Sequence, residues 1–299
     1  MTFIEQLAHC EALNDSLLCV GLDPDPAKFP GAWQGDAGRI FDFCSAIVDA
    51  TKDCVLAFKP QIAYFAANRA EDQLERLMAH IRAVAPEVPV ILDAKRGDIG
   101  STAEQYAREA FERYRADAVT LSPFMGFDSI EPYLQYEGKG VILLCRTSNP
   151  GSEDLQAQTL HSGDKLFEHI ARLAGGAWNR SGQLGLVVGA TFPAEIERVR
   201  ELAPTLPLLI PGIGAQGGDA LATVRAGWRG GGGAGGAGGV GGAHGVRGRT
   251  TAPIIVSSSR AVLYASCGAD FAEAAQRAAT TARDELNRAR RGSAVEAAR

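Results

Sequence analysis

The 299-residue chain contains no apolar run approaching the ~20 residues a helix needs to cross a bilayer. Its first residues, Met1 to His9, lack both a basic stretch and a long apolar core, so they do not read as a signal peptide. There is no C-x-x-C pair. The six cysteines, Cys10, Cys19, Cys44, Cys54, Cys145 and Cys267, sit mostly in apolar runs and read as buried thiols of a reducing compartment, not as disulfides or a zinc site. The five histidines have no metal-ligand spacing. No G-x-G-x-x-G follows the first predicted strand, which argues against a nicotinamide or flavin fold. With 30 basic and 35 acidic residues the net charge is −5, so no general affinity for nucleic acid or an anionic membrane is expected. These absences point to a cytoplasmic protein acting on a small molecule, with no cofactor and no metal.

What is present centres on Val90-Ile-Leu-Asp-Ala-Lys-Arg-Gly-Asp-Ile-Gly-Ser-Thr102. Val90 to Leu92 reads as a strand buried on both faces. Charge can appear only where that strand leaves the core. Asp93 and Lys95, two residues apart, then point to one side. Asp98 is placed as an N-cap or first-turn residue of a helix over Ser101 to Arg113.

The rest of the chain repeats this strand-then-helix pattern. Strands are predicted at 17–22, 55–58, 90–92, 118–121, 140–145, 184–188, 207–210 and 253–256. Helices are predicted at 3–13, 40–51, 71–84, 101–113, 129–135, 166–178, 193–202, 219–226 and 271–288. Apolar strands alternating with helices argue for a parallel sheet, and eight units in this length argue for a single α/β domain, a closed (β/α)8 TIM barrel over residues 1–288. A doubly wound open sheet is the alternative. The glycine-rich segment at about 229–249 is expected to be a loosely held insertion before the eighth strand, because such chain has little surface to bury. Residues 289–299 are expected to form a flexible tail.

In such barrels chemistry sits at the C-terminal ends of the strands. Here those ends carry Asp23, Lys59, Asp93, Lys95, Ser148, Gln216 and Arg260. The loops Pro211-Gly-Ile-Gly-Ala-Gln-Gly-Gly218 and Ser257-Ser-Ser-Arg260 combine glycines, whose N–H groups can approach an anion, with an arginine fork suited to phosphate. The opposite half of the rim offers only carboxylates and ammonium groups. A lysine between acids favours its cationic form, which suits proton donation and carbanion stabilisation better than Schiff-base chemistry.

Leu92-Asp-Ala-Lys-Arg-Gly-Asp-Ile99 resembles the D-x-K-x-x-D signature of the orotidine 5′-phosphate decarboxylase family. The resemblance extends to Gly21-Leu-Asp-Pro, Phe58-Lys-Pro, Thr147-Ser-Asn-Pro-Gly, the 211–218 loop and Ser258-Ser-Arg, and is closest to the longer bacterial (type 2) form. It implies decarboxylation of orotidine 5′-monophosphate to UMP and CO2. It also implies that Lys95 protonates C6, Asp93 lies beside the substrate carboxylate, Lys59 holds Asp93 and a ribose hydroxyl, and Asp23 binds the ribose. Ser148 would meet the pyrimidine edge, and Gln216 and Arg260 the 5′-phosphate. Asp98 and Thr102, four apart and so on one helix face, would reach into the site of a second copy, making the protein a homodimer with shared active sites. The glycine-rich segment departs from the family pattern. The alternatives are a metal-dependent relative with the same D-x-K-x-x-D, disfavoured because Lys59 stands where that enzyme needs an acidic ligand, and a non-catalytic nucleotide-binding barrel.

Overall fold

A computed structural model of the chain describes residues 1–213, 218–229 and 253–297, with side chains to residue 292. Gln216 and, beyond Arg229, the glycine-rich segment lie outside the described residues.

Within them, eight parallel strands form one sheet: β1 (Leu18–Leu22), β2 (Ala57–Pro60), β3 (Ile91–Arg96), β4 (Ala118–Leu121), β5 (Gly140–Arg146), β6 (Leu184–Val188), β7 (Leu208–Pro211) and β8 (Ile254–Ser258). Hydrogen-bonded order runs β2-β1-β8-β7-β6-β5-β4-β3. Parallel bridges Phe58↔Val90 and Gln61↔Asp93 join its two edges, so the sheet closes on itself. The predicted barrel is therefore the observed fold, and the open-sheet alternative fails at that seam. Buried aliphatic residues fill the strands: every residue of β1, β4, β6 and β8 is buried. Each such Val, Leu or Ile stabilises the fold by roughly 1.5–3 kcal/mol.

The helices are α1 (Phe3–Asn14), α2 (Ile40–Thr51), α3 (Ile62–Ala66), α4 (Glu71–Val84), α5 (Gly100–Arg108), α6 (Glu131–Leu134), α7 (Leu166–Gly175), α8 (Pro193–Leu202), α9 (Ala220–Gly227), α10 (Arg260–Leu263) and α11 (Phe271–Ala297). α1 starts with a capping box between Thr2 and Glu5. Its Phe3 lies against the start of β5, where a side chain at Gly140 would sit 2.3 Å from the ring.

The differences from the sequence expectation lie at element ends. Lys95 and Arg96 belong to β3, which is longer than expected because a bulge between Leu92 and Arg96 bends it outward. The helix expected at 101–113 is α-helical only from Gly100 to Arg108, then continues as a π-helical turn over Glu109–Arg113. The 289–299 tail is instead helical as far as Ala297. Ala289 is buried and Arg290 pairs with Glu11 at 3.2 Å and with Asp15, which ties α11 to α1. α3 and α10 are single turns too short to show a helical period in sequence.

Candidate active site

At the C-terminal rim the predicted charges of β2 and β3 meet. Lys59 is the penultimate residue of β2 and Asp93 lies beside it across the seam, both buried at 5% and 6% exposure. Lys59 Nζ donates to Asp93 Oδ2 at 2.8 Å, and Lys95 Nζ donates to Asp93 Oδ1 at 2.6 Å. A third donor, the Thr120 hydroxyl of β4, reaches the same Oδ1 at 2.9 Å. Burial alone would push the Asp93 carboxyl upward. The ammonium groups of Lys59 and then Lys95 outweigh it and hold the carboxyl well below the usual carboxylate range. Burial likewise works against the Lys59 cation, but Asp93 and then Asp23 hold it charged, above the ordinary lysine range.

Lys95 has a left-handed backbone, φ +47°. A non-glycine residue there is strained by about 1–3 kcal/mol and persists only where its surroundings enforce it. They do so here: the N–H groups of Ala94 and Lys95 both donate to Thr120 Oγ1, each at 3.0 Å. The bulge thus turns the Lys95 side chain back over Asp93. That chain stays 45% exposed and lines a cavity of about 600 Å3, a volume typical of small-molecule sites. Ser148, Phe124, Leu155 and Pro211 line the same cavity, so it spans the rim from β3 to β7.

Ser148 follows β5. A side chain at Gly189 would come within 2.8 Å of its Cβ, so the bare backbone after β6 makes room for it. The loop is anchored by Arg146, which is 1% exposed. Its guanidinium donates to Glu195 Oε2 of α8 at 2.6 Å, also to Ser152 and Glu153, and lies over the Phe192 ring. Asp23 follows β1. Tyr264 fixes its loop by donating to the Asp23 carbonyl and accepting the Asp25 N–H, both at 2.8 Å. Asp23 Oδ1 is buried and has no hydrogen-bond partner among the described residues. Arg260 opens α10 after β8, exposed at the rim.

The structure therefore brings Lys59, Asp93 and Lys95 into direct contact, sets Asp23 near enough to act on Lys59, and places Ser148 across the cavity from Lys95. It does not bring Asp98 or Thr102 into this cluster. Asp98 precedes the helix instead of capping it. Ile99 is the N-cap, with extended backbone at φ −118° and ψ 160°, and Gly100 has φ +53°, so helical geometry cannot run back to Asp98. The Asp98 carboxylate accepts from the Ile99 N–H at 2.9 Å, and Thr102 is exposed on α5. The shared helix face expected for the pair does not exist. Sequence reading passed over Thr120 and Arg146. A threonine in a strand is unremarkable, and nothing in Arg146-Thr-Ser-Asn-Pro signals that this arginine is buried.

Comparison with known proteins agrees with the geometry. Residues 16–239 match the model of the orotidine 5′-phosphate decarboxylase / HUMPS family. An orotidine 5′-phosphate decarboxylase of Leptothrix cholodnii is 72% identical over 97% of this chain and 98% of that protein. One of Polaromonas naphthalenivorans is 70% identical, with 97% of each covered. Among solved structures, the Leishmania donovani OMP decarboxylase superposes with a TM-score of 0.77 at 37% identity, covering 97% of this chain and 99% of that one. This chain belongs to the orotidine 5′-phosphate decarboxylase family.

Proposed function

We propose that the Lys59–Asp93–Lys95 array carries the chemistry of this carboxy-lyase by electrostatics alone, with no metal or cofactor. The enzyme converts orotidine 5′-monophosphate to UMP and CO2 in pyrimidine biosynthesis. Breaking the bond from C6 to the carboxylate releases CO2 and leaves an electron pair in an sp² orbital that the ring delocalises poorly. Lys95 is the cation set in advance where that pair appears, and its Nζ proton goes to C6, giving UMP. The ammonium is then restored from solvent, to which its side chain is half open. A fixed charge stabilises such a transition state because it need not reorganise during the reaction. Asp93 orients Lys95 beside the substrate carboxylate, and Lys59 secures Asp93 and a ribose hydroxyl.

Ribose binding by Asp23 is supported by its buried, unpartnered Oδ1, since a buried carboxylate oxygen calls for a donor. Ser148 would meet the pyrimidine edge, and Gln216 and Arg260 the 5′-phosphate. Binding energy from that remote phosphate can position the ring, so the nucleoside lacking it should lose turnover as well as affinity. Asp98 and Thr102 serve the site of a second copy. The exposed Ile99, Phe124 and Met125, on loops after the neighbouring strands β3 and β4, offer the apolar surface for that homodimer. The cytoplasm suits six free cysteines, five of them buried and Cys267 exposed. Burial first, and then Glu87, pushes the Cys10 thiol up to about 12. Among the described residues no helix is long and apolar enough to cross a membrane.

The observation that carries the reading is Asp93 clamped between two ammonium groups, one of which faces the cavity. Its test follows orotidine 5′-monophosphate by ultraviolet absorbance with EDTA present. Undiminished turnover is expected, and loss of activity restored by a divalent cation would contradict it. The shared site is tested by mixing Lys95→Ala and Asp98→Ala chains. If each site draws on both copies, activity returns to about a quarter of wild type, because half of the dimers are mixed and each has one intact site.

A further inference from the structure

We infer that Thr120 is the positioning residue of the catalytic array, fixing both Asp93 and the backbone of Lys95 through one hydroxyl. The inference rests on the proposed roles of Asp93 and Lys95 and adds a residue that never touches substrate.

The argument is one of hydrogen-bond capacity. A threonine hydroxyl has one proton and two lone pairs. Thr120 Oγ1 accepts the N–H groups of Ala94 and Lys95, which occupy both lone pairs. Its proton is left for Asp93 Oδ1, and it points there at 2.9 Å. The hydroxyl, 1% exposed, thus has a single orientation, with all three of its bonds made and none to spare for water. Both ends of the catalytic pair are held by the same atom. The Asp93 carboxylate cannot rotate without losing this donor, and the strained φ of +47° at Lys95 is enforced by the two N–H bonds. β4 is a rigid, fully buried strand paired with β3 on one side and β5 on the other, so it is a fixed reference from which to hang the bulge.

Three features separate this from ordinary strand packing. The bonds come from a side chain in a place where the ladder between β3 and β4 is interrupted. They converge on the residue whose charge must be aimed. A β-branched side chain also has restricted rotamers, so the aim is stiff. Threonine meets the steric and the hydrogen-bonding need together. Valine matches its shape without the bonds, and serine keeps the bonds without the methyl.

The experiment compares Thr120→Val, Thr120→Ala and Thr120→Ser with wild type and with Lys95→Ala, measuring kcat, KM and the dissociation constant of UMP. Partners that orient metal ligands typically contribute about 10- to 100-fold, and a hydroxyl that aims a catalytic ammonium is expected to act on the same scale. Thr120→Val is expected to lose kcat in that range while KM and UMP affinity move by less than about threefold. Thr120→Ala leaves space for a water molecule and is expected to show an intermediate loss, which keeps the test intact if the valine variant does not fold. Thr120→Ser is expected to stay within about fivefold of wild-type kcat. Unchanged kcat in both Thr120→Val and Thr120→Ala overturns the inference, as does failure of serine to rescue, or a parallel fall of kcat and UMP affinity. Near-normal turnover by Lys95→Ala would overturn the reading of the site itself, whatever the Thr120 variants do.

Discussion

Two carboxylates on the same rim show opposite design. Asp93, in β3, accepts from Lys59, Lys95 and Thr120, and both its oxygens are engaged before any ligand arrives. Asp23, beyond β1, keeps a buried Oδ1 with no partner among the described residues. Leaving such an acceptor unpaired costs about 1–3 kcal/mol. The β2–β4 side holds its charges still, and the β1 side leaves an acceptor open among the described residues, as the ribose-binding role proposed for Asp23 requires. Catalysis by preorganisation requires the first arrangement, and binding requires the second.

The sharpest way to break this contrast is to neutralise each acid in turn. Asp93→Asn leaves the Lys59 ammonium buried without its anion, and losing one member of a buried pair costs about 3–5 kcal/mol. Denaturant unfolding should show that loss, with turnover down by roughly 10²–10³-fold because the aimed cation is released. Asp23→Asn should change stability by no more than about 1 kcal/mol, yet raise KM by about 10- to 100-fold, as expected for losing a hydrogen bond to a charged group. Equal destabilisation by the two substitutions would erase the distinction. A control lies at the other end of the barrel. Gly140→Ala overpacks Phe3 and should cost about 1–3 kcal/mol without altering kcat.

A finer test uses pH. The folded Asp93 pKa lies below its ordinary 3.8, so its stabilising contribution is present above that value and disappears as pH falls through the lowered one. The folded Lys59 pKa lies above 10.5, so its contribution is present below that value and is lost as pH rises through the raised one. The stability gap between wild type and Asp93→Asn should therefore narrow on the acid side only below about pH 4, and on the alkaline side as the buried Lys59 of the variant, left without its anion, gives up its proton. A gap that already narrowed as pH fell from about 6 to 5 would show that Asp93 is not clamped.

The barrel was legible because buried parallel strands read as unbroken aliphatic runs and eight of them recur. Helices 40–51, 71–84 and 193–202 and strands 118–121 and 184–188 match their expected bounds, since Gly, Pro and charge mark those ends. The convergence of Lys59, Asp93 and Lys95 was legible from charge appearing at strand ends. Its mechanism was not. Alternation along a strand puts Asp93 and Lys95 on one side, but the contact arises from a bulge and a left-handed φ, which depend on a hydroxyl 25 residues away in sequence. Asp98 was misplaced because acidic residues before helical patterns usually cap them, and the φ of Gly100 cannot be read from its letter. Arg146 was missed because its partners, Ser152, Glu153 and Glu195, meet only in the folded chain. The length of α11 was missed because its terminal turns are held by a distant contact between Arg290 and α1.

The most direct measurement is the decarboxylation rate of Lys95→Ala beside wild type, with circular dichroism to show that both are folded. The half-exposed Lys95 side chain adds little to the core, so the barrel should stay intact. Turnover should fall by at least about 10³-fold. A folded Lys95→Ala enzyme working near the wild-type rate would mean that the ammonium over Asp93 is not what stabilises the electron pair at C6.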